Sequence, residues 1–294
     1  MTDGTIRKVG VAGAAGTMGS GIAIVCARAG FETVCYDVTA DALDAAKART
    51  QGFFDKSVAR NKMTKEARGA AVQRLSSTTQ LDGLADCDLV IEAVFESLDV
   101  KQALLRHLND VCKDATIFAS NTSTLSITEI AGGCGREDRV VGMHFCLPAQ
   151  LMKLIEMSPG VSTSDATFDT AWAWTKAVGQ LPVQTQDKPG FILNALLVPF
   201  NNDAIRAVEA GVASAADVDK AIKVGLGYKM GPLELVDLVG LDTQILLCEA
   251  FYPVTLDPRA AAPPLLKRMV AAGHLGRKSG RGVYTYDGST MFGG

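Results

Sequence analysis

A glycine-rich turn close to the N-terminus constrains the fold of this chain more than any other sequence feature. Residues 8–12 (KVGVA) are apolar after the first lysine and typical of a buried strand, and residues 17–28 have the pattern of a helix. The turn between them, residues 13–19, contains three glycines. A second apolar run at residues 33–36 predicts another strand, and Asp37 follows it directly. Strand, glycine turn, helix, strand and acidic residue in this order predict a βαβ unit with two parallel strands.

The glycines of this turn favour a Rossmann-like dinucleotide site over a simple chain reversal. Gly16, Gly19 and Gly21 lie where the strand gives way to the helix, and their missing side chains let the backbone approach a pyrophosphate at the positive helix end. A carboxylate at Asp37 can accept hydrogen bonds from both ribose hydroxyls and would repel a 2′-phosphate, which favours NAD over NADP. The cofactor-binding residues predicted from this unit are Gly13, Gly16, Thr17, Met18, Gly19 and Asp37.

The spacing of the glycine turn departs from the usual GxGxxG pattern. Residues 13–19 read GAAGTMG, a GxxGxxG spacing with the extra residue before Gly16. We hypothesise that the first turn bulges while the pyrophosphate still lies over residues 16–19. A complex whose pyrophosphate does not touch this loop would disprove that hypothesis.

Strands and helices continue to alternate through the first half of the chain, which predicts a parallel sheet with crossover helices. A helix is predicted at residues 101–111. The further strands are predicted at residues 89–94, 116–120, 140–145 and 153–157.

The pattern changes at residues 187–190 (DKPG), because proline and glycine interrupt the chain there and helical patterns follow. A long helix is predicted at residues 191–210, with a kink at Pro199, and residues 214–217 form a capping box for the next helix. The fold class is therefore α/β. We predict a Rossmann-like doubly wound N-terminal domain over residues 1–186 and an all-helical C-terminal domain over residues 187–294.

Composition excludes several classes of protein. The 294 residues have a net charge of −3, whereas a dedicated nucleic-acid binder usually has a basic excess. Apolar runs stay shorter than the roughly 18 residues that span a bilayer, and the N-terminus does not resemble a signal peptide. The 7 cysteines are scattered without metal-ligand spacing, which predicts free thiols, no metal and a cytoplasmic location. Cys146, close to His144, is interpreted as a packing residue.

Polar side chains follow or occupy three of the predicted strands. Residues 120–123 (SNTS) follow one strand, His144 lies near the end of another, and Glu156 lies within the next. Ligands of doubly wound sheets bind beyond the carboxyl ends of the strands, so these residues mark a candidate site. Together with the glycine turn and residues 187–194 (DKPGFILN), they resemble the 3-hydroxyacyl-CoA dehydrogenase family.

The resemblance runs from about Val9 to Tyr286 and so covers nearly the whole chain. Residues 225–242 (GLGYKMGPLELVDLVGLD) look like the second-domain signature of the family, and residues 276–284 (GRKSGRGVY) are similar to its tail. The resemblance implies reversible oxidation of a (3S)-3-hydroxyacyl-CoA to the 3-oxoacyl-CoA with NAD, a step of fatty acid β-oxidation. It also implies short acyl chains such as 3-hydroxybutyryl, and a homodimer formed through the helical domain.

By the same resemblance His144 is the general base and Glu156 is its partner. Oxidation of a secondary alcohol requires removal of the hydroxyl proton as hydride leaves carbon, and a near-neutral imidazole suits that step. A carboxylate on the other ring nitrogen would fix the tautomer and stabilise the imidazolium that forms. Ser123 and Asn194 occupy the substrate-binding positions of the family, where they would hold the 3-oxygen and the thioester carbonyl.

Five further residues are assigned by the resemblance to ligand contacts. Glu92, Lys101 and Asn121 occupy positions along the nicotinamide end of the cofactor. Arg60 and Lys62 follow a helical segment where contacts with the CoA phosphates tend to fall, and basic side chains could pair with phosphate there. An ordinary solvated helix face explains these two basic residues equally well.

Each catalytic assignment has a structural alternative. His144 could be a satisfied structural histidine, and Glu156 could face solvent through the alternation of its strand. Ser123 could cap a helix over residues 126–130, and Asn194 could be a surface residue of its helix.

One position departs from the family pattern. The family usually carries His-Phe-Phe-Asn-Pro, whereas residues 144–148 read HFCLP, so Leu147 replaces an asparagine that helps to hold the substrate. Each polar substrate group left unpaired would cost roughly 1–3 kcal/mol. Either the acyl specificity has shifted, or neighbouring groups and water compensate for the loss.

Two rival functions remain open. The first is a related dehydrogenase that acts on a free hydroxy acid, a sugar acid or a ring-bearing CoA ester, and Leu147 keeps this alternative open. The second is a non-catalytic binding protein on the same fold, as some lens crystallins resemble this family. The presence of Ser123, His144, Glu156 and Asn194 argues against lost catalysis.

Overall fold

The computed structural model describes residues 6–286, and the chain divides into two units between Phe191 and Ile192. The first unit is built on a single sheet of eight strands in the order β3-β2-β1-β4-β5-β6-β7-β8. The strands are β1 (Lys8–Ala12), β2 (Glu32–Tyr36), β3 (Leu75–Thr78), β4 (Leu89–Glu92), β5 (Ile117–Ser120), β6 (Val140–Phe145), β7 (Leu154–Pro159) and β8 (Leu181–Gln184).

Neighbouring strands of this sheet run parallel except for β6 and β7, which are antiparallel. The strand order reverses between β1 and β4, and ligands of open α/β sheets bind at such a reversal. The helices of the first unit are α1 (Thr17–Arg28), α2 (Ala40–Ala59), α3 (Lys65–Gln73), α4 (Leu98–Val111), α5 (Ile127–Ala131) and α6 (Asp165–Ala177).

Apolar clusters cover both faces of the sheet. Along β4, Leu89 and Ile91 belong to one cluster with residues of α1 and α6, while Val90 belongs to the other with residues of α4 and α5. Successive side chains of a strand point to opposite faces, so a strand buried on both faces reads as a continuous apolar run. For this reason β1 and β4 could be predicted from the sequence.

The second unit is helical over most of its described length. Its helices are α7 (Leu193–Glu209), α8 (Ala215–Leu226), α9 (Pro232–Val239), α10 (Leu241–Thr255) and α11 (Pro264–Ala271). At the start of α8 the Ser214 hydroxyl accepts a hydrogen bond from the Asp217 backbone N–H, as the capping prediction requires. Gly227 ends α8 in the left-handed conformation at φ +73°, and Pro232 occupies the first turn of α9.

The predicted fold class, a Rossmann-like α/β domain followed by helices, is confirmed. The two edge strands, β3 and β8, were not predicted. They are short and only partly buried, and β8 contains Pro182, so neither gives a clear strand pattern in the sequence. The long helix predicted from residue 191 begins at Leu193, since Phe191 has a left-handed backbone with φ +49°.

Two findings concern classes of site within residues 6–286. None of the helices there combines the length and the apolar character that crossing a bilayer requires. No three histidine, cysteine, aspartate or glutamate side chains of these residues are grouped so that they could hold a metal ion.

Candidate active site

The register of β6 and β7 places His144 directly opposite Glu156. The imidazole Nδ1 lies 2.8 Å from Glu156 Oε2, and Nε2 lies 3.1 Å from the Ser123 hydroxyl. His144 is 8% exposed and Glu156 is fully buried. The structure therefore brings together three of the four residues predicted to be catalytic, and Glu156 does not face solvent.

The partners of His144 determine what its ring can do. A hydrogen bond to an ionised Glu156 carboxylate requires a donor, so it selects the tautomer with the proton on Nδ1. The other nitrogen, Nε2, then presents its lone pair towards the Ser123 hydroxyl. This arrangement can take a proton at Nε2 and stabilise the resulting imidazolium through Glu156, which is the chemistry of a general base.

Glu96, which was not predicted as a site residue, organises the loop that carries Ser123. Its Oε1 accepts hydrogen bonds from the backbone N–H groups of Ser123 (2.9 Å) and Thr124 (3.1 Å) and from the hydroxyls of Thr122 and Thr124. Burial alone would raise the pKa of Glu96, but the Lys101 ammonium and these hydrogen bonds outweigh it and hold the pKa below its usual value. The position just beyond β4, at the same sheet edge as residues 120–123, was the signal available in the sequence.

Glu92 and Lys101 form a buried ion pair beneath that loop. Lys101 Nζ lies 2.9 and 2.8 Å from the two carboxylate oxygens of Glu92, and the Ser120 hydroxyl donates to the same carboxylate. Lys101 Nζ also lies 3.2 Å from Glu96 Oε2. The side chains of Glu92 and Lys101 are about 1% exposed, so both are engaged inside the protein, whereas Glu96 is partly exposed.

Asn121 connects the ends of two neighbouring strands. Its Oδ1 accepts a hydrogen bond of 2.9 Å from the backbone N–H of Phe145, next to His144. Asn121 therefore joins the loop after β5 to the end of β6. Ser126, not Ser123, caps α5, because its hydroxyl accepts the hydrogen bond from the Glu129 N–H. The capping alternative for Ser123 is wrong, and its hydroxyl points to His144 instead.

The glycine turn fits a bound dinucleotide. Gly13 has φ +81°, and a Cβ there would lie 2.6 Å from the carbonyl oxygen of Ala93. A Cβ at Gly19 would collide with the Gly13 backbone, so neither position tolerates a side chain. Gly16 is exposed, and it starts α1 without any side-chain cap on the helix N–H groups. A helix start of this kind offers free N–H donors and a positive dipole to a phosphate.

Asp37 lies at the end of β2, beside the same turn. One carboxylate oxygen accepts a hydrogen bond of 2.9 Å from the Ala15 N–H, and the other accepts one of 2.8 Å from Val38. The N–H groups of Gly13 and Ala14 both bond to the Tyr36 carbonyl, which holds the turn against β2. The carboxylate and the start of α1 are thus parts of one loop structure, as a dinucleotide site requires.

Cys146 and Leu147 lie directly after the end of β6, the strand that contains His144. Burial, followed by the nearby Glu156 carboxylate, raises the pKa of the Cys146 thiol to about 11. A thiol of that kind stays protonated near neutral pH, which agrees with a packing role. Leu147 is 55% exposed, although it is a large apolar side chain.

The remaining predicted residues lie apart from His144 in the chain. Arg60 and Lys62 are exposed at the C-terminal end of α2, where a cation also complements the helix dipole. Asn194 lies in the first turn of α7, in the second unit, and is partly exposed.

Comparisons with known proteins identify relatives along the whole chain. The family model described as "3-hydroxyacyl-CoA dehydrogenase, NAD binding domain" matches residues 8–188, and the model of the C-terminal domain of the same family matches residues 190–286. The chain is 42% identical to a 3-hydroxybutyryl-CoA dehydrogenase of Bradyrhizobium diazoefficiens, with 97% of each chain covered. It is 43% identical to one of Mycobacterium tuberculosis, over 96% of this chain and 99% of that one. The solved structure of the (S)-3-hydroxybutyryl-CoA dehydrogenase PaaH1 from Ralstonia eutropha is similar with a TM-score of 0.92 at 39% identity, over 96% of this chain and all of that one.

Proposed function

Since this chain belongs to the 3-hydroxyacyl-CoA dehydrogenase family, we propose that it reversibly oxidises a short-chain (3S)-3-hydroxyacyl-CoA, such as 3-hydroxybutyryl-CoA, to the 3-oxoacyl-CoA. NAD is the cofactor, in agreement with the NAD-binding domain that residues 8–188 match. The observation that carries the proposal is the His144 imidazole held between Glu156 and Ser123.

His144 acts as the base in the direction of oxidation. Its Nε2 takes the proton of the substrate 3-hydroxyl, while the buried Glu156 carboxylate stabilises the imidazolium across the 2.8 Å contact. In the direction of reduction the same nitrogen returns the proton to the 3-oxygen. A bound NAD would supply the nicotinamide ring that accepts the hydride leaving carbon 3 of the substrate.

The Ser123 hydroxyl orients the 3-oxygen, because it already lies within hydrogen-bond distance of the atom that exchanges the proton. Asn194, at the start of the second unit, holds the thioester carbonyl. Arg60 and Lys62 pair with the CoA phosphates. These three assignments extend the family resemblance to residues of this chain, and the alternative for Arg60 and Lys62 is a solvated helix end.

The cofactor lies along the carboxyl edge of the sheet. The turn of residues 13–19, including Thr17 and Met18 at the start of α1, holds the pyrophosphate, and Asp37 holds the ribose hydroxyls. Glu92, Lys101 and Asn121 shape the nicotinamide end. They do so through the buried ion pair and through the Phe145 N–H contact, which set the loops on either side of Ser123.

The assembly is a homodimer formed through the helical second unit, which begins at Ile192. Several large apolar side chains of that part are more than 60% exposed, and contact with a second copy would remove them from water. They include Leu196, Leu246 and Val254. We place the enzyme in the cytoplasm and in fatty acid β-oxidation, and the 7 free thiols agree with a reducing compartment.

A second candidate is a dehydrogenase of the same family with a different acyl or ring-bearing substrate, and the exposed Leu147 favours it. A non-catalytic binding protein is the less favoured alternative, since Ser123, His144 and Glu156 are assembled with hydrogen-bond distances.

The deciding experiment is NADH oxidation with acetoacetyl-CoA. The wild type should turn over, and His144→Ala should lower kcat by roughly two to four orders of magnitude because the proton donor is lost. His107→Ala, an exposed histidine of α4, is the control and should retain full activity. Tight NADH binding without turnover by the wild type would contradict the proposal and point to another substrate or to a non-catalytic protein.

A further inference from the structure

The segment that ends the first unit, residues 187–191, is anchored beside the loop that carries Ser123. The Asp187 carboxylate accepts hydrogen bonds from the Ser126 hydroxyl (2.8 Å) and the Thr128 hydroxyl (2.6 Å). It also accepts from the backbone N–H groups of Ile127 (2.7 Å) and Thr128 (2.8 Å). Four donors on one carboxylate fix the segment to the first turn of α5.

The same segment continues to Ser123 and His144. The Gly190 N–H donates a hydrogen bond of 3.2 Å to the backbone carbonyl of Ser123. The next residue, Phe191, is 6% exposed, and its ring centroid lies 5.6 Å from that of the His144 imidazole at an interplanar angle of 39°. One side of the catalytic imidazole is therefore covered by an aromatic ring.

The backbone at this point is held in an unfavourable conformation. Gly190 has φ +81° and Phe191 has φ +49°. A left-handed conformation is unfavourable for a residue with a side chain, so it persists only where the surroundings impose it. The contacts of Asp187 and Gly190, together with the burial of the Phe191 ring, are the contacts that impose it.

The ring contact supplies something that the two hydrogen bonds of His144 do not. A hydrogen bond weakens steeply only when its angle falls below about 120°, so the bonds to Glu156 and Ser123 permit small rotations of the imidazole. A packed aromatic ring resists such rotation by steric repulsion. Furthermore, Nε2 must exchange its Ser123 contact for the substrate proton during reaction, whereas the Phe191 contact is independent of that exchange.

We propose that Phe191 is a positioning residue that holds the plane of the His144 imidazole. Asp187 and Gly190 keep its ring in place. The inference rests on the proposed function, because it assumes that His144 is the base of the reaction. It assigns Phe191 no contact with substrate or cofactor, so its loss should change the rate of turnover more than the binding of either ligand.

The kinetic test compares Phe191→Ala with Phe191→Leu and with the control Phe31→Ala. Phe31 is a partly buried residue of the same unit, and its ring centroid lies 5.9 Å from that of Trp174. Phe31→Ala therefore removes a packed aromatic ring, as Phe191→Ala does, but away from His144. For NADH oxidation with acetoacetyl-CoA, Phe191→Ala should lower kcat by about 10- to 100-fold, since small misplacements of a catalytic group have effects of this size. KM should change by less than about threefold. Phe191→Leu, which keeps the apolar bulk, should recover most of kcat, and Phe31→Ala should retain it.

A second test measures the imidazole directly by NMR, so it needs neither turnover nor one particular variant. The chain has 3 histidines, so the ring signals of ¹⁵N-labelled protein can be assigned with His144→Gln. The Nδ1–H of His144 should give a narrow, slowly exchanging proton signal in the wild type and in Phe31→Ala. The signal should broaden in Phe191→Leu and more strongly in Phe191→Ala.

The outcomes separate the positioning role from the proposed function. A wild type that does not oxidise NADH contradicts the proposed function, and the imidazole signal then decides the role of Phe191. Turnover by the wild type with kcat of Phe191→Ala within twofold overturns the positioning role. It is also overturned by a raised KM at unchanged kcat, which would make Phe191 a binding residue, or by an unchanged Nδ1–H signal.

Discussion

At the residue scale, three contacts determine the position of the His144 imidazole. The imidazole is bonded on both nitrogens and covered on one side, and each of these contacts comes from a different part of the chain: Ser123, Glu156 and Phe191. Leu147 differs from these residues. It is 55% exposed, so packing within the protein does not account for a large apolar residue at this position. Contact with a bound ligand would account for it.

Replacement of Leu147 by asparagine tests whether this residue selects the acyl group. An apolar side chain gains from contact with a longer apolar chain, because each CH₂ group that is buried contributes about 0.8 kcal/mol. We therefore expect Leu147→Asn to lower the ratio of kcat/KM for 3-oxohexanoyl-CoA over acetoacetyl-CoA by roughly three- to tenfold. Steady-state kinetics with both thioesters measures the ratio.

Val161→Asn is the control for Leu147→Asn, because Val161 is 87% exposed and follows β7 at the opposite end from His144. It should leave the ratio unchanged. An unchanged ratio and unchanged affinity in Leu147→Asn would contradict a role in specificity and leave compensation by neighbouring groups as the explanation.

At the scale of elements, buried carboxylates of the second unit hold its last described segment in place. We call residues 276–286 the tail strap. Asp237 of α9 accepts hydrogen bonds from the N–H groups of Val283 (2.7 Å) and Tyr284 (2.8 Å) and from the Tyr286 hydroxyl (2.8 Å). Asp219 of α8 accepts from the Tyr284 hydroxyl at 2.7 Å. These contacts give a structural reason for the motifs over residues 225–242 and 276–284.

Two glycines of these motifs are required by the same carboxylates. A Cβ at Gly282 would collide with the Asp237 carboxylate, and a Cβ at Gly231 would collide with Asp219. Asp219 also accepts from the N–H groups of Leu233 and Glu234, so a residue of α8 caps the start of α9. The motifs thus describe how α8, α9 and the tail strap are joined.

The tail strap should lose stability in strongly alkaline solution. Burial and then the hydrogen bond to Asp237 raise the pKa of Tyr286 to about 12. An unfolded tyrosine has a pKa of about 10, so the folded state binds the proton more tightly. The stabilisation is complete below about pH 10 and is lost as the pH rises towards the folded pKa of about 12.

The measurement is urea unfolding of the wild type and Tyr286→Phe at several pH values. At pH 8 the variant should be less stable by about 1 kcal/mol, the usual contribution of one hydrogen bond, and the difference should shrink towards pH 11. The control is Tyr252→Phe, because Tyr252 is an exposed tyrosine of α10, and it should change the stability at pH 8 by less than about 0.5 kcal/mol. A constant difference for Tyr286→Phe from pH 8 to 11 would show that Asp237 does not hold this hydroxyl.

At the scale of the whole molecule, all the cysteines are at least partly shielded from solvent. Cys26, Cys87, Cys112, Cys134 and Cys248 are buried, and Cys35 and Cys146 are partly buried. Burial is the largest cause that raises the pKa of each thiol, to about 12 for Cys35 and Cys87 and about 11 for Cys112 and Cys146. Thiols of this kind are inert because the thiolate is the reactive form.

We therefore expect the native protein to react slowly with a thiol reagent such as DTNB at pH 7.5. In guanidinium chloride all 7 thiols should react, at rates at least about 100-fold higher, because both burial and the raised pKa are removed. Absorbance of the released thionitrobenzoate measures both rates. Rapid reaction of one equivalent in the native protein would show an accessible thiolate, and the comparison with Cys146→Ser would identify whether Cys146 carries it.

The sequence by itself determined the features that local patterns encode. Alternating apolar runs and helices predicted the α/β class, and the glycine turn with Asp37 predicted NAD as the cofactor. The sheet confirms the fold class, and the NAD-binding family model over residues 8–188 confirms the cofactor. These predictions succeed because strand burial on two faces and a side-chain-free turn at a helix start are written in consecutive residues. His144 and Glu156 were also selected from the sequence, although the strand pairing that joins them was not.

Only the tertiary structure decided how distant residues meet. The antiparallel register of β6 and β7 sets Glu156 opposite His144, and the meeting of two loops brings Glu96 to Ser123. The anchoring of residues 187–191 places Phe191 against the imidazole. None of these contacts follows from local periodicity, because each depends on strand register and loop path, which are set by the packing of the whole unit.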